Sequence, residues 1–347
     1  MKLIAVILFV AAATANPIYE TEVAENVIVS NNEDWQLVPD TNGHLHLVDI
    51  NAVDSDMEPQ FNARNDMTFR LFTRLNPTIS RTVRIANNAD LSGSNFNGAN
   101  PSRYHIHGWQ GGGVFTGSGI RRAWLDRISC NVFTVDWGAG ASTINYLTAR
   151  NRVPAVATVV AEFIDWVNAQ TNTPFSAVSV IGHSLGGHIA GLTGKRVRRG
   201  RLQSVVAMDP AGPLFSIRNP TERVHHTDAN YVEVIYTDQG NLGFDEPLGH
   251  ANFYPNWGSR QPGCGLDIGG LCSHNIVEDF FEASINPSNV FGARQCRSFS
   301  GIRLRTCITS GPSRRMGGEP VMDGTSAPDT VFFLETNARS PFAQGPI

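Results

Sequence analysis

The sequence predicts an α/β protein, a largely parallel sheet with helices on both faces. Three observations carry that expectation. After Phe61, short β-branched runs alternate with stretches of helical periodicity. One of these runs, Ala177-Val178-Ser179-Val180-Ile181, passes through a Gly-rich turn straight into a helical stretch. With 347 residues, 41% apolar and 17% charged, the chain can bury a large core, which excludes a disordered or collagen-like polymer.

Taken in order, residues 1–15 read as a secretory signal peptide: Lys2, an apolar run Leu3 to Ala13, and the small-residue site Ala13-Thr14-Ala15. That run is too short to span a bilayer, and no later stretch is long and apolar enough, so no transmembrane anchor is expected. Residues 16–60 hold ten acids and no Lys or Arg, although the whole chain carries only −4. This acidic segment precedes a mildly basic body, residues 61–347. It is either a pro-segment that docks on the body and is cut near Arg64 or Arg70, or a permanent acidic arm. The charge balance, without a Lys/Arg block interleaved with aromatics, argues against nucleic acid as a partner.

Within the body, Arg103 to Ile106 and Cys130 to Val135 read as strands. Val156, Val159, Val160, Phe163, Ile164 and Val167 follow helical spacing after Pro154, which suits a first helical turn. The strand Ala177–Ile181, the turn Gly182–Gly187 and a helix from His188 to about Val197 come next. Lys195, Arg196, Arg198, Arg199 and Arg201 then complement the end of that helix, with phosphate binding as the lesser alternative. Two further strands, Leu202–Met208 and Tyr231–Tyr236, follow.

Export makes the five cysteines interpretable. Near neighbours suggest the pairs Cys264–Cys272 and Cys296–Cys307, each ring stabilising by roughly 2.5 to 2.8 kcal/mol. Cys130, in a strand-like run, is then a buried unpaired thiol. The absence of a Cys-x-x-Cys pair argues against zinc, and His105-x-His107 lacks a third metal ligand.

Gly182-x-Ser184-x-Gly186, preceded by a strand and followed by a helix, matches a nucleophile elbow. A serine hydroxyl is a poor nucleophile at neutral pH, so a histidine must take its proton and a carboxylate must orient the imidazole. In hydrolases with this elbow the acid and histidine follow the serine, which leaves His225, His226, His250 and His274. His274, next to the Cys264–Cys272 ring, is favoured for its anchoring, with His250 second. Asp209 is the preferred acid because it ends an apolar strand beside the elbow; Asp228 and Asp238 are alternatives. Two main-chain N–H groups are needed for an oxyanion hole, and those of Leu185 and Trp109 fit.

These residues resemble the pancreatic-type neutral lipases, most closely their secreted insect digestive members, from about Phe69 to Phe342. The resemblance rests on His107-Gly108-Trp109, Val135-Asp136-Trp137, Gly182-His183-Ser184-Leu185-Gly186-Gly187, Asp209-Pro210-Ala211-Gly212-Pro213, Phe253-Tyr254-Pro255-Asn256 with Gln261-Pro262-Gly263-Cys264, and Cys272-Ser273-His274. It implies an α/β-hydrolase fold, a Ser184, Asp209, His274 triad, and an oxyanion hole from Trp109 and Leu185.

It also implies a secreted ester hydrolase acting on lipid surfaces, in the gut lumen for the digestive members, without cofactor. The chain ends at Ile347, so no C-terminal β-sandwich domain and no colipase partner are expected. The loop between Cys264 and Cys272, the family's lid position, is too short for an amphipathic helix, and the stretch Asp238 to His250 also looks shortened, as in the phospholipase A1 branch. Pro220 and His225 replace two acids that bind calcium in the pancreatic enzymes, although Arg223 and Asp228 persist, so no tightly bound metal is expected. A non-enzymatic lipid carrier or yolk-type protein is the reading from a different class.

Overall fold

The computed structural model describes residues 35–39, 45–49, 60–113, 116–143, 145–321, 324 and 326–347. The expected signal peptide and much of the acidic segment lie outside the described residues. The strands are β1 (Trp35–Pro39), β2 (Leu45–Asp49), β3 (Thr68–Phe72), β4 (Arg81–Thr82), β5 (Ser102–Ile106), β6 (Asn131–Asp136), β7 (Val178–His183), β8 (Ser204–Met208), β9 (Tyr231–Ile235), β10 (Ala251–Pro255), β11 (Gly292–Cys296), β12 (Arg314–Arg315) and β13 (Thr330–Leu334). The helices are α1 (Ala63–Asp66), α2 (Asn88–Ser92), α3 (Ser118–Arg127), α4 (Gly138–Ala141), α5 (Tyr146–Thr171), α6 (Leu185–Arg196), α7 (Leu271–Ile285) and α8 (Phe299–Arg303).

One large sheet runs in the order β12-β11-β13-β10-β9-β8-β7-β5-β6-β3-β4, and β1 and β2 form a separate hairpin. From β13 through β6 every pairing is parallel; the strands beyond them on either side are antiparallel. Each central strand is buried on both sides, so its neighbours in sequence feed different cores. Val180, Val205 and Val234 face the core shared with α5 and α6, whereas Ile181, Val206 and Ile235 face that of α3 and α7. This is the α/β-hydrolase architecture.

The order of connections fixes where a site can form. From β5 the chain passes to β6 on one side and returns to β7 on the other, so the crevice at the carboxyl ends of β5 and β7 is a topological switch point. The registers Ile106↔Gly182, His183↔Met208 and Met208↔Ile235 bring these strand ends into line. Whatever follows each strand therefore meets at one edge.

Both expected disulfides are present, and Cys130 is a buried free thiol. One helix differs from expectation. Pro154 does not open α5 but sits in its interior, because Asn145 caps the helix by accepting the Thr148 amide (3.3 Å). Tyr146, Leu147, Ala149 and Val153 add further buried turns ahead of the proline. At the end of α6, Arg196 donates to the Leu192 carbonyl (3.1 Å) as a C-terminal cation should, whereas Lys195 turns to the carboxylate of Asp228.

Candidate active site

Ser184 stands between β7 and α6 with φ 55° and ψ −124°, a strained backbone that lifts its side chain off the sheet edge. The turn closes only with glycines. A Cβ on Gly182 would lie 1.9 Å from the Gly186 carbonyl, and one on Gly186 would lie 2.2 Å from the Ile106 carbonyl. The Ser184 N–H donates to the Met208 carbonyl (3.1 Å), tying the elbow to β8.

Asp209 follows β8 and is wholly buried. Its Oδ1 accepts the main-chain N–H groups of Thr237 (2.7 Å) and Asp238 (3.0 Å), and its Oδ2 lies 2.6 Å from His274 Nδ1. Three donors on one carboxylate fix its direction. With Nδ1–H donated to Asp209, the ring lone pair of His274 lies on Nε2.

His274 lies in the first turn of α7, two residues beyond the Cys264–Cys272 disulfide. The Asp267 carboxylate caps this helix by accepting the amides of Cys272 (3.0 Å) and Ser273 (2.8 Å). His183 braces it from the elbow: burial, with the neighbouring His274, pushes the His183 imidazole down to about 4, so the neutral ring donates Nε2–H to the His274 carbonyl (3.0 Å). The two rings are 4.6 Å apart, which brings the residue preceding Ser184 against the imidazole.

The loop after β5 closes the other side. A Cβ on Gly108 would be 2.7 Å from Ser184 Cβ and 3.3 Å from its Oγ, so the Gly108 main chain rests on the serine side chain. Trp109 is buried, with Nε1–H donated to the Thr143 carbonyl (2.7 Å) and its ring edge-on to Tyr146 (5.3 Å). Leu185 opens α6, so its N–H has no carbonyl one turn earlier in the helix. The main-chain amides of Trp109 and Leu185 thus belong to segments that flank the hydroxyl.

Elbow, buried acid, acid-bound imidazole and flanking amides occur within a single family match: the family described as Lipase covers residues 46–342. The chain belongs to the pancreatic-type lipase family. Curated relatives of this lipase-family chain include Lipase member H of Xenopus tropicalis, 34% identical over 293 residues, covering 78% of this chain and 62% of the relative. Lipase member H of Mus musculus is 34% identical over 295 residues with the same coverages. That of Danio rerio is 31% identical over 296 residues, covering 79% of this chain and 63% of the relative. The chain therefore spans about 62% of the length of the first relatives it matches.

In this lipase-family chain the other candidate residues have different partners. Asp228 bonds Lys195 and the His225 amide. His225, His226 and His250 cluster together, and His250 accepts the Val232 amide (3.0 Å). Asp238 is near the site, but its main chain, not its carboxyl, serves Asp209. Among the described residues no group of three or more His, Cys, Asp or Glu side chains is arranged to hold a metal ion.

Three supporting residues escaped sequence reasoning. Besides His183 and Asp267, Gln261 is buried and donates to the carbonyls of Thr237 (2.9 Å) and Pro255 (3.0 Å), joining the β9 and β10 ends. Asp267 had a legible signal, an acidic residue just ahead of a helix start. The hairpin also reaches the site: His46 lies edge-on to Trp109 (5.1 Å), and β1 packs against the turn Ile268–Gly270 of the Cys264–Cys272 loop.

Proposed function

We propose that this chain is a secreted carboxylic-ester hydrolase that cleaves fatty-acyl esters of acylglycerols or phospholipids through an acyl-enzyme. The observation that carries the reading is the 2.6 Å contact between His274 Nδ1 and the buried Asp209 carboxylate, beside an elbow serine with Gly108 against it. In the reaction His274 Nε2 takes the Ser184 proton while Oγ bonds the ester carbonyl carbon. The carbonyl oxygen becomes an oxyanion held by the Trp109 and Leu185 amides. The departing alcohol receives the proton from His274. Water, deprotonated by the same imidazole, then releases the fatty acid.

Two disulfides support export, and no helix among the described residues is long and apolar enough to cross a membrane. The alternative of phospholipase A1 activity with little triglyceride hydrolysis draws on the Cys264–Cys272 loop. Eight positions separate its cysteines, and its one regular feature is the 3₁₀ turn Ile268–Gly270, not an amphipathic helix. The test is labelling of the secreted protein by an alkyl phosphonate, with wild type modified at Ser184 and Ser184→Ala unlabelled. Product analysis on a phospholipid with distinguishable acyl chains, beside a triglyceride, decides between the substrate classes. Absence of labelling together with intact lipid binding would favour the carrier reading.

A further inference from the structure

The oxyanion loop contains a second histidine that the reaction above does not use. His107 is buried, and its Nε2 accepts the main-chain N–H of Trp137 (3.1 Å). Asp136 Oδ1 also faces Nε2 but at 3.7 Å, beyond hydrogen-bond distance, so the Trp137 N–H is the nearer partner; a nitrogen that accepts carries no proton, which places the proton of the neutral ring on Nδ1. Nδ1 lies 2.8 Å from the Gly108 carbonyl and donates to it. The ring cannot turn out of this position. It lies parallel to the Trp137 indole (5.5 Å, 11°), whose Nε1–H holds the His107 carbonyl (2.8 Å). The loop folds back over it so closely that a Cβ on Gly111 would be 2.7 Å from Nδ1.

The carbonyl that Nδ1 holds belongs to the same peptide unit as the Trp109 N–H. In a trans peptide the C=O and N–H point in opposite directions from one rigid plane. Fixing the Gly108 oxygen therefore fixes the direction of the Trp109 hydrogen. A donated hydrogen bond to the carbonyl also polarises the unit and strengthens its N–H as a donor. We propose that His107, locked as its Nδ1–H tautomer by Trp137, is a positioning residue that aims the Trp109 amide at the developing oxyanion; this rests on the ester-hydrolase reading.

Two substitutions separate the two ring nitrogens. In His107→Asn the side-chain NH₂ occupies the place of Nδ1 and retains the donor to Gly108. In His107→Gln the amide oxygen reaches the place of Nε2 and retains the acceptor for Trp137 but loses that donor. Removing one oxyanion donor typically lowers kcat by about 10²–10³-fold. His107→Gln is expected to show a loss of that order with KM unchanged and an equal loss in affinity for an alkyl boronic acid, whereas His107→Asn stays within roughly tenfold of wild type. Equal kcat in the two variants, or a loss expressed in KM alone, overturns the proposal. If His107→Gln fails to fold, as judged by near-UV circular dichroism, a loss beyond a hundredfold in folded His107→Asn overturns it equally.

Nitrogen-15 NMR of the wild-type protein gives a readout independent of activity. His107 Nδ1 is expected as the protonated and Nε2 as the unprotonated nitrogen, and the reverse tautomer removes the mechanism. Loss of Ser184 labelling in the wild type, with this tautomer observed, would count against the hydrolase reading and not against the orientation of the peptide.

Discussion

Asp238 donates its main-chain N–H to the Asp209 carboxylate across 3.0 Å, so two acids at the ends of adjacent strands share one buried corner. Burial, and then the charge of Asp209, pushes the Asp238 carboxyl up to about 8. At neutral pH the Asp238 carboxyl then carries a proton. Its Oδ2 accepts from Asn241 (2.9 Å) and from the Leu242 amide (3.2 Å), which leaves Oδ1 for the proton.

The sign of the pH dependence follows. Between the ordinary carboxylate range and about 8, the folded protein binds a proton that the unfolded chain has lost, so stability falls as pH rises through that window. Asp238→Asn mimics the protonated form. Thermal melts from pH 5 to 9 should show the wild-type Tm declining with pH more steeply than that of the variant, with kcat at pH 7 changed by less than roughly tenfold. Identical slopes would show that Asp238 is ionised throughout.

Replacing Asp209 itself separates structure from catalysis. In Asp209→Asn the side-chain oxygen can still accept the Thr237 and Asp238 amides, which leaves the NH₂ facing His274 Nδ1. That donor forces the imidazole proton onto Nε2, where it blocks proton transfer from Ser184. A fall in kcat of about 10⁴-fold with a nearly unchanged melting temperature is expected. A loss of less than tenfold would place the functional acid elsewhere.

The rim of the site offers a lipid contact. Leu266 and Ile268 in the Cys264–Cys272 loop are 89% and 71% exposed. Fully burying such a side chain is worth about 1.5–3 kcal/mol. Leu266→Ser with Ile268→Ser should therefore weaken binding to phospholipid vesicles at least tenfold while leaving hydrolysis of a soluble short-chain ester unchanged. The loop is held by its disulfide and by the Asp267 cap, with no helix to swing aside. Rates should accordingly rise smoothly through the critical micelle concentration; a steep jump there would contradict a fixed rim.

Cys130 tests the packing of the opposite core. Burial pushes its thiol up to about 12, which removes the reactive thiolate at neutral pH. The native protein should resist iodoacetamide, and one thiol per chain should react in denaturant without reductant. Rapid native labelling would mean that the core around β6 opens readily.

The parts of the site that were legible in the sequence share a property: local pattern determines them. Ser184 is set by glycines two residues away on either side, and Asp209 by the apolar strand it ends. His274 was one of four histidines, because the choice depends on which chain segment crosses the sheet edge, and spacing does not encode that. Parallel registration does carry part of the missing information. Since Met208 pairs with Ile235, the residues just beyond β8 and β9 must meet, and the contact of Asp209 with Thr237 and Asp238 follows from it. The His107 to Trp137 clamp depends on side-chain rotation, which no pattern in the sequence specifies. Pro154 misled because its preference for a first turn was outweighed by buried apolar positions ahead of it.

The proposal that the acidic segment is a pro-segment makes a positional prediction. Arg70 lies inside β3, paired on both sides, and bonds Asp136 (3.0 Å), so a protease would have to pull a strand from the sheet to cut there. Arg64 is exposed in the short helix α1 and is held by a surface pair with Glu162, an interaction typically worth no more than about 1 kcal/mol. Limited trypsin digestion should therefore generate an N-terminus at Asn65 and none at Leu71. Because His46 lies against Trp109 and β1 against the turn Ile268–Gly270, release of the hairpin should raise turnover of long-chain esters more than that of a short soluble ester. A secreted protein that retains Asn16 as its only N-terminus, and whose cleavage at Arg64 changes neither rate, would identify the segment as a permanent arm.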